Sequence, residues 1–154
     1  MIKVISRYNK INFAKLAAAA DEILHVNGNA AIDVEFLDEE EMRELNLRTR
    51  QKDCVTDVLS YPFLADTGKP FDRRHYPDDY DKRLDAVRLG CTAICRSYIK
   101  RAAQEDETVY ISDVYRAFVH SVLHLMGYDH ITEEQYDEMH GKENEIMKKA
   151  GLLK

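Results

Sequence analysis

The run HSVLHLMGYDH, from His120 to His130, constrains this chain more than any other feature. Two histidines four apart lie on one face of a helix, separated by roughly 40° of turn and about 6 Å of rise. That offset lets two imidazoles close on one metal ion. Gly127, three residues past His124, can take the left-handed conformation that ends a helix and turns the chain. The turn brings His130 back towards the first two rings. Three neutral imidazoles, with a fourth position left to water, describe a catalytic zinc site better than a structural one.

The spacing matches the H-E-x-x-H-x-x-G-x-x-H run of the metzincin peptidases. One position departs from it. Those enzymes carry a glutamate general base after the first histidine, and this chain carries Ser121. A hydroxyl cannot hold a proton at neutral pH as a carboxylate can. The metal cage is therefore present without the peptidase's base. The other three histidines, His25, His75 and His140, share no such spacing and read as ordinary side chains.

At 154 residues the chain is expected to form a single domain, residues 1–154, with enough length for a real core. No apolar run approaches the 18 or more residues of a membrane span. The opening MIKVISRYNK lacks a secretory leader's apolar stretch, so a cytoplasmic location is expected. Cys54, Cys91 and Cys95 are odd in number and form no Cys-x-x-Cys pair, so free thiols are expected. A net charge of −6 argues against broad electrostatic capture of nucleic acid, but leaves room for a local basic patch. Arg43, Arg48, Arg50 and Lys52 form one basic cluster. Arg96, Lys100 and Arg101 form another, which reads as a solvated helix face.

Periodicity places the elements. Met1 to Tyr8 reads as a strand. Asn12 can cap a helix through Leu24 that Gly28 closes. Ile32, Val34 and Phe36 alternate as in a half-buried strand. Asp38 and Glu41 form a capping pair for a second helix carrying Met42, Leu45 and Leu47. Val55 to Tyr61 reads as a third strand stopped by Pro62, and residues 62 to 86 as a long surface loop. Val87 to Cys95 reads as a fourth strand, with Gly90 a bulge or a point of close approach. A short helix over Ser97 to Gln104 comes next. In the helix that bears the histidines, Tyr110, Ile111, Val114, Phe118, Val122 and Met126 make the core face. Thr132 and Gln135 cap a last helix with Tyr136, Met139, Ile146 and Met147 inward. The expected fold is α+β: a mixed sheet of about four strands covered by helices, with the metal site on a long helix.

Several of these segments together resemble the YbeY family of bacterial endoribonucleases. The family pattern H-G-x-L-H-L-x-G-Y-D-H is matched from His120 to His130 except at Ser121, where glycine is usual. Glu39 to Asn46 resembles the helix before the family's arginine, and Arg50 falls six residues before Thr56, as that arginine does. Thr56 to Tyr61 resembles T-D-V-L-S-F, and Leu89-Gly90 with Ile94 to Arg96 resembles L-G-D-x-x-I-x. Cys91 departs from the aspartate usual after that glycine, and the stretch around 62 to 86 is longer than usual. The match covers roughly residues 30 to 150.

The resemblance implies a zincin-like fold, one zinc ion held by His120, His124 and His130, and catalysis by Arg50 together with His120. It implies cleavage of single-stranded RNA in maturation of the 16S ribosomal RNA 3′ end and in ribosome quality control. The implied partners are ribosomal RNA, the small ribosomal subunit and ribosome-associated proteins, with no membrane, and the protein is expected to be a monomer. Asp129 could orient a ligand imidazole or cap the following turn. Asp57 could position Arg50 or a water, or cap a turn. Tyr128 could stack on a base or pack in the core. Two readings compete: a zinc peptidase drawing its carboxylate from Glu133 or Asp129, and a non-catalytic ribosome-assembly factor with a structural metal.

Overall fold

Ile32, Val34 and Phe36 point to one face of an extended segment, and that segment is the second strand of a mixed sheet. The computed structural model describes residues 1–8 and 10–152. Among the described residues there are five strands: β1 (Ile2–Ser6), β2 (Ala30–Phe36), β3 (Val58–Pro62), β4 (Tyr80–Asp81) and β5 (Ala86–Ile94). Five α-helices accompany them among the described residues: α1 (Ala14–Ile23), α2 (Glu39–Arg50), α3 (Arg96–Ala102), α4 (Glu107–Leu125) and α5 (Glu133–Lys149). The sheet order is β1-β2-β5-β3, with β4 also pairing with β5. β1, β2 and β5 run parallel, whereas β3 and β4 run antiparallel to β5. β5 is central and buried at every position but Arg88, as expected of a strand covered on both faces.

One face of the sheet packs against α1 and α4, and α5 packs in turn on those two helices, in one core that includes Leu16, Ile32, Leu89, Phe118, Val122 and Ile146. A smaller core on the other face joins Met42 and Leu45 of α2 to Leu59, Ala93 and Cys95. Phe13 stacks on Phe118 with ring centroids 4.3 Å apart, tying the start of α1 to the middle of α4. The capping boxes Asp38–Glu41 and Thr132–Gln135 both form, each satisfying backbone N–H groups at a helix start. Gly90 is both things expected of it. The β2–β5 register shifts beside it, and a Cβ there would lie 2.4 Å from the Tyr61 carbonyl oxygen and 2.7 Å from Leu125.

Several boundaries differ from the sequence reading. The sheet has five strands because β4 arises within residues 62 to 86. That stretch is not a plain surface loop: it buries Leu64 and Phe71, and Asn27 and Phe71 share a backbone hydrogen bond of 3.0 Å. Its apolar anchors are too far apart to show any period. Phe13, not Asn12, occupies the cap of α1, although Asn12 Oδ1 accepts the Ala14 N–H. His25, at φ +51, makes the left-handed turn that directly follows α1, and Gly28, at φ +91, makes a second one three residues later. β3 starts only at Val58 and keeps Pro62 as its last residue, which an edge strand tolerates. Tyr136 is 55% exposed instead of inward. Arg96 is not simply solvated, since its guanidinium lies 4.1 Å from the Tyr8 ring and donates to the Tyr8 hydroxyl. Among the described residues, no helix is long and apolar enough to cross a membrane.

Candidate metal centre

The burial pattern of α4 determines where its histidines point. Val114, Phe118, Val122 and Leu125 are buried. His120 and His124 lie at the border of that stripe, partly exposed. Ser121 is one residue on, about 100° around the helix, and is wholly buried. Its hydroxyl meets Ser60 of β3 at 2.6 Å and Thr92 of β5 at 2.7 Å. The position of a metzincin's base therefore belongs here to a hydroxyl trio that binds helix to sheet.

Gly127 makes the turn with φ +98, and a Cβ there would lie 2.3 Å from the Thr67 carbonyl oxygen. The turn delivers His130, an exposed residue, to the other two rings. Ring centroids are 4.6 Å apart for His120 and His124, 4.9 Å for His124 and His130, and 5.5 Å for His120 and His130. One ligand atom from each lies within 4.8 Å of the others.

Two hydrogen bonds orient the rings. His120 Nδ1 donates to Glu143 Oε1 at 2.6 Å, and His124 Nδ1 donates to the Tyr128 carbonyl at 3.1 Å. With both Nδ1 hydrogens directed outward, the Nε2 lone pairs of the two neutral rings face each other at 3.1 Å. Like lone pairs resist that approach, and a shared cation relieves it. Metal–nitrogen bonds of about 2.0–2.1 Å in a tetrahedron would set such nitrogens roughly 3.3 Å apart. The chain's own geometry thus fits a single small cation. His124 is held below its ordinary pKa by burial, and then by the neighbouring His120 and His130. Burial alone would raise Glu143, but hydrogen bonds from His120 and His140 outweigh it and keep the carboxylate ionised.

The three imidazoles separate two clefts. The larger, about 570 Å³, is lined by Asp57, Tyr98, His120, His130, Met139 and Glu143, among others. The smaller, about 280 Å³, takes in Arg50, Ser60, His124, Tyr128 and Asp129. Arg50 is the last residue of α2 and is exposed. It shares a cleft with His124, whereas His120 opens onto the other side.

The remaining candidates find plainer places. Asp129 Oδ1 accepts the His130 N–H at 2.8 Å and Asp57 Oδ1 the Val58 N–H at 2.8 Å, so both carboxylates cap turns. Tyr128 is half-buried, with Lys69 Nζ 4.6 Å from its ring centroid. Met139 is buried and walls the larger cleft. Cys91 lies outside the cluster. Thr92 faces α4, so its neighbour on the strand faces away. Burial, helped by Glu35 and Asp33, pushes the Cys91 thiol up to about 12. All three cysteines are free.

Sequence reasoning missed Glu143 and set His140 aside. His140 lines the larger cleft, and its Nδ1 lies 3.5 Å from Glu143 Oε2. A signal was available: Met139, Ile146 and Met147 mark the inward face of α5, and Glu143 sits on that same face. A buried carboxylate needs a partner.

A mixed sheet covered by helices, with a glycine turn folding a third imidazole onto a helical pair, defines an α+β protein with a metal-competent histidine centre. The family model described as Endoribonuclease YbeY matches residues 2 to 151. The chain is 33% identical over 138 residues to the endoribonuclease YbeY of Lactobacillus helveticus (strain DPC 4571), covering 90% of this chain and 77% of that one. The solution structure of TM1509 from Thermotoga maritima shares the fold, with a TM-score of 0.56 at 21% identity over 96% of this chain and 90% of the other. The chain belongs to the YbeY endoribonuclease family.

Proposed function

We propose that this protein is a zinc-dependent endoribonuclease that cuts single-stranded RNA during maturation of the 16S ribosomal RNA 3′ end. The observation that carries the metal part is the 3.1 Å approach of two Nε2 atoms whose Nδ1 partners are already engaged. His120, His124 and His130 would hold the ion, three neutral donors leaving its charge uncompensated. When bound, such an ion supplies a Lewis acid and brings the pKa of water in its remaining position to about 7. That removes the need for the glutamate that Ser121 replaces.

The chain's own groups do the rest. Phosphodiester hydrolysis builds negative charge on the non-bridging oxygens, and an exposed guanidinium can hold them bidentately. Arg50 is suited to that task from the cleft it shares with His124. His120 contributes from the opposite cleft, as a ligand fixed by Glu143. An RNA strand crossing the ridge of imidazoles would meet Arg50 on one side and the larger cleft on the other. Family membership supports ribosomal RNA and the small subunit as partners and the cytoplasm as the place of action.

The peptidase reading loses its base. Ser121 is turned into the sheet, Asp129 caps the His130 turn, and Glu133 starts α5 outside the cluster. The test combines metal analysis of the purified protein with cleavage of a structured rRNA fragment, before and after chelation. About one zinc per chain and chelator-sensitive RNA cleavage are expected. Peptide cleavage without RNA cleavage, or RNA processing that survives His120→Ala and Arg50→Ala, would reject the proposal, the latter in favour of a non-catalytic assembly role.

A further inference from the structure

α5 presents a carboxylate where its inward stripe calls for hydrocarbon. Glu143 has a side chain only 8% exposed and lies along the helix from Met139, Ile146 and Met147, all buried. Among the described ion pairs, neither lysine nor arginine meets it. Its two oxygens go to two histidines: Oε1 to His120 Nδ1 at 2.6 Å across the α4–α5 interface, and Oε2 to His140 Nδ1 at 3.5 Å one turn back on its own helix.

We infer that Glu143 is a positioning residue for the metal centre. An ionised carboxylate facing Nδ1 requires a hydrogen on that nitrogen, so the tautomer with a free lone pair on Nε2 is imposed on His120. The short contact also fixes the ring plane, and Nε2 is then aimed at His124 and His130. Negative charge behind an imidazole raises its basicity as a donor. His124 Nδ1 meets the neutral Tyr128 carbonyl at the longer distance of 3.1 Å, and the nearby Asp129 carboxylate caps the His130 N–H instead of bonding to the His124 ring. The two helical ligands are therefore unequal, and His120 is the stronger. His140 lies beside the second oxygen at 3.5 Å, a long contact from a half-exposed ring that steadies the carboxylate only weakly. Its place in the larger cleft follows from this, and it need not touch the cation itself.

The inference rests on the proposed metal site, and the experiment separates the two. Full-length protein is stripped with chelator and titrated with Zn²⁺ alone, in competition with a chromophoric chelator, and with Co²⁺, followed by its visible absorption. The variants are Glu143→Gln, Glu143→Ala and His140→Ala, each also melted without metal. Wild type is expected to bind one ion. Glu143→Ala should bind about 10- to 100-fold more weakly and change the Co²⁺ spectrum. Glu143→Gln, whose carbonyl still accepts the Nδ1 hydrogen, should recover part of that affinity, and His140→Ala should lose only a few-fold. If Glu143→Ala melts earlier but binds Zn²⁺ within twofold of wild type, Glu143 is merely structural and the inference is overturned. Should Glu143→Ala not fold, the same twofold criterion applied to Glu143→Gln and its Co²⁺ spectrum decides. Failure of wild type to bind either ion would overturn both this inference and the proposed function.

Discussion

Replacing Ser121 by alanine tests whether this residue belongs to the fold or to the chemistry. The hydroxyl lies 2.6 Å from Ser60 and 2.7 Å from Thr92. Thr92 is fully buried, and among the described hydrogen bonds its hydroxyl has only this partner. Leaving a buried hydroxyl unsatisfied costs about 1–3 kcal/mol. Alanine regains roughly half a kcal/mol through its better helix propensity. The net loss is then about 0.5–2.5 kcal/mol, which for a chain of this size lowers Tm by roughly 1–10 °C. Calorimetry of the metal-free protein reads that shift, and Zn²⁺ titration with an RNA cleavage assay reads the site. Both site measurements should stay within about threefold of wild type, because the side chain points away from the cluster. A tenfold loss of cleavage with Tm unchanged would refute the reasoning and give the hydroxyl a chemical role. Ser121→Glu, which restores the peptidase's residue, should unfold the protein more readily and confer no peptidase activity, since its carboxylate would be buried against β3 and β5.

Gly90→Ala should destabilise the protein by about 2–3 kcal/mol in urea unfolding, because the new Cβ would meet the Tyr61 carbonyl oxygen at 2.4 Å and Leu125 at 2.7 Å. A neutral result would mean that β3 can shift without cost. Arg50→Ala should lower RNA cleavage by about 100- to 1,000-fold while Tm and metal content hold, as expected for a lost charge-stabilising donor. A loss below fivefold would remove Arg50 from the reaction. Thiol labelling at pH 8 should modify Cys54, which is exposed, and leave the buried Cys91 and Cys95 unmodified until the protein is denatured. The Cys91 thiol, pushed up to about 12, supplies almost no thiolate at that pH. Rapid modification of Cys91 in the native protein would contradict its placement.

The histidine cluster was legible because its parts are local. A four-residue helical offset and one glycine turn place three rings within eleven residues of chain, and no distant contact is needed to predict the result. The two capping boxes were legible for the same reason. What escaped depends on contacts distant in sequence. Glu143 acquires its meaning only when α5 lies against α4 and brings it to His120, 23 residues away. β4 is two residues long, too short for any period, and exists because β5 offers it an edge. Phe13 takes the cap position from Asn12 because its ring is drawn onto Phe118. Tyr136 was assigned inward from its spacing, yet it lies outside and stacks on His140 at 5.8 Å. Arg50 was singled out by its place six residues before Thr56, but its position as the last residue of α2 and the cleft it lines are properties of the assembled fold.

The stretch between β3 and β5 works as a strut rather than a tether. Leu64 and Phe71 plant it in the core, Asn27 stitches it to the turn before β2, and the Thr67 carbonyl presses against Gly127, the residue that swings His130 into place. A protease nick between Leu64 and Phe71 would therefore do more than open a surface ribbon. It would release the brace behind the glycine hinge and loosen His130 at a distance, so that resistance to limited digestion becomes a direct gauge of how firmly the third imidazole is held.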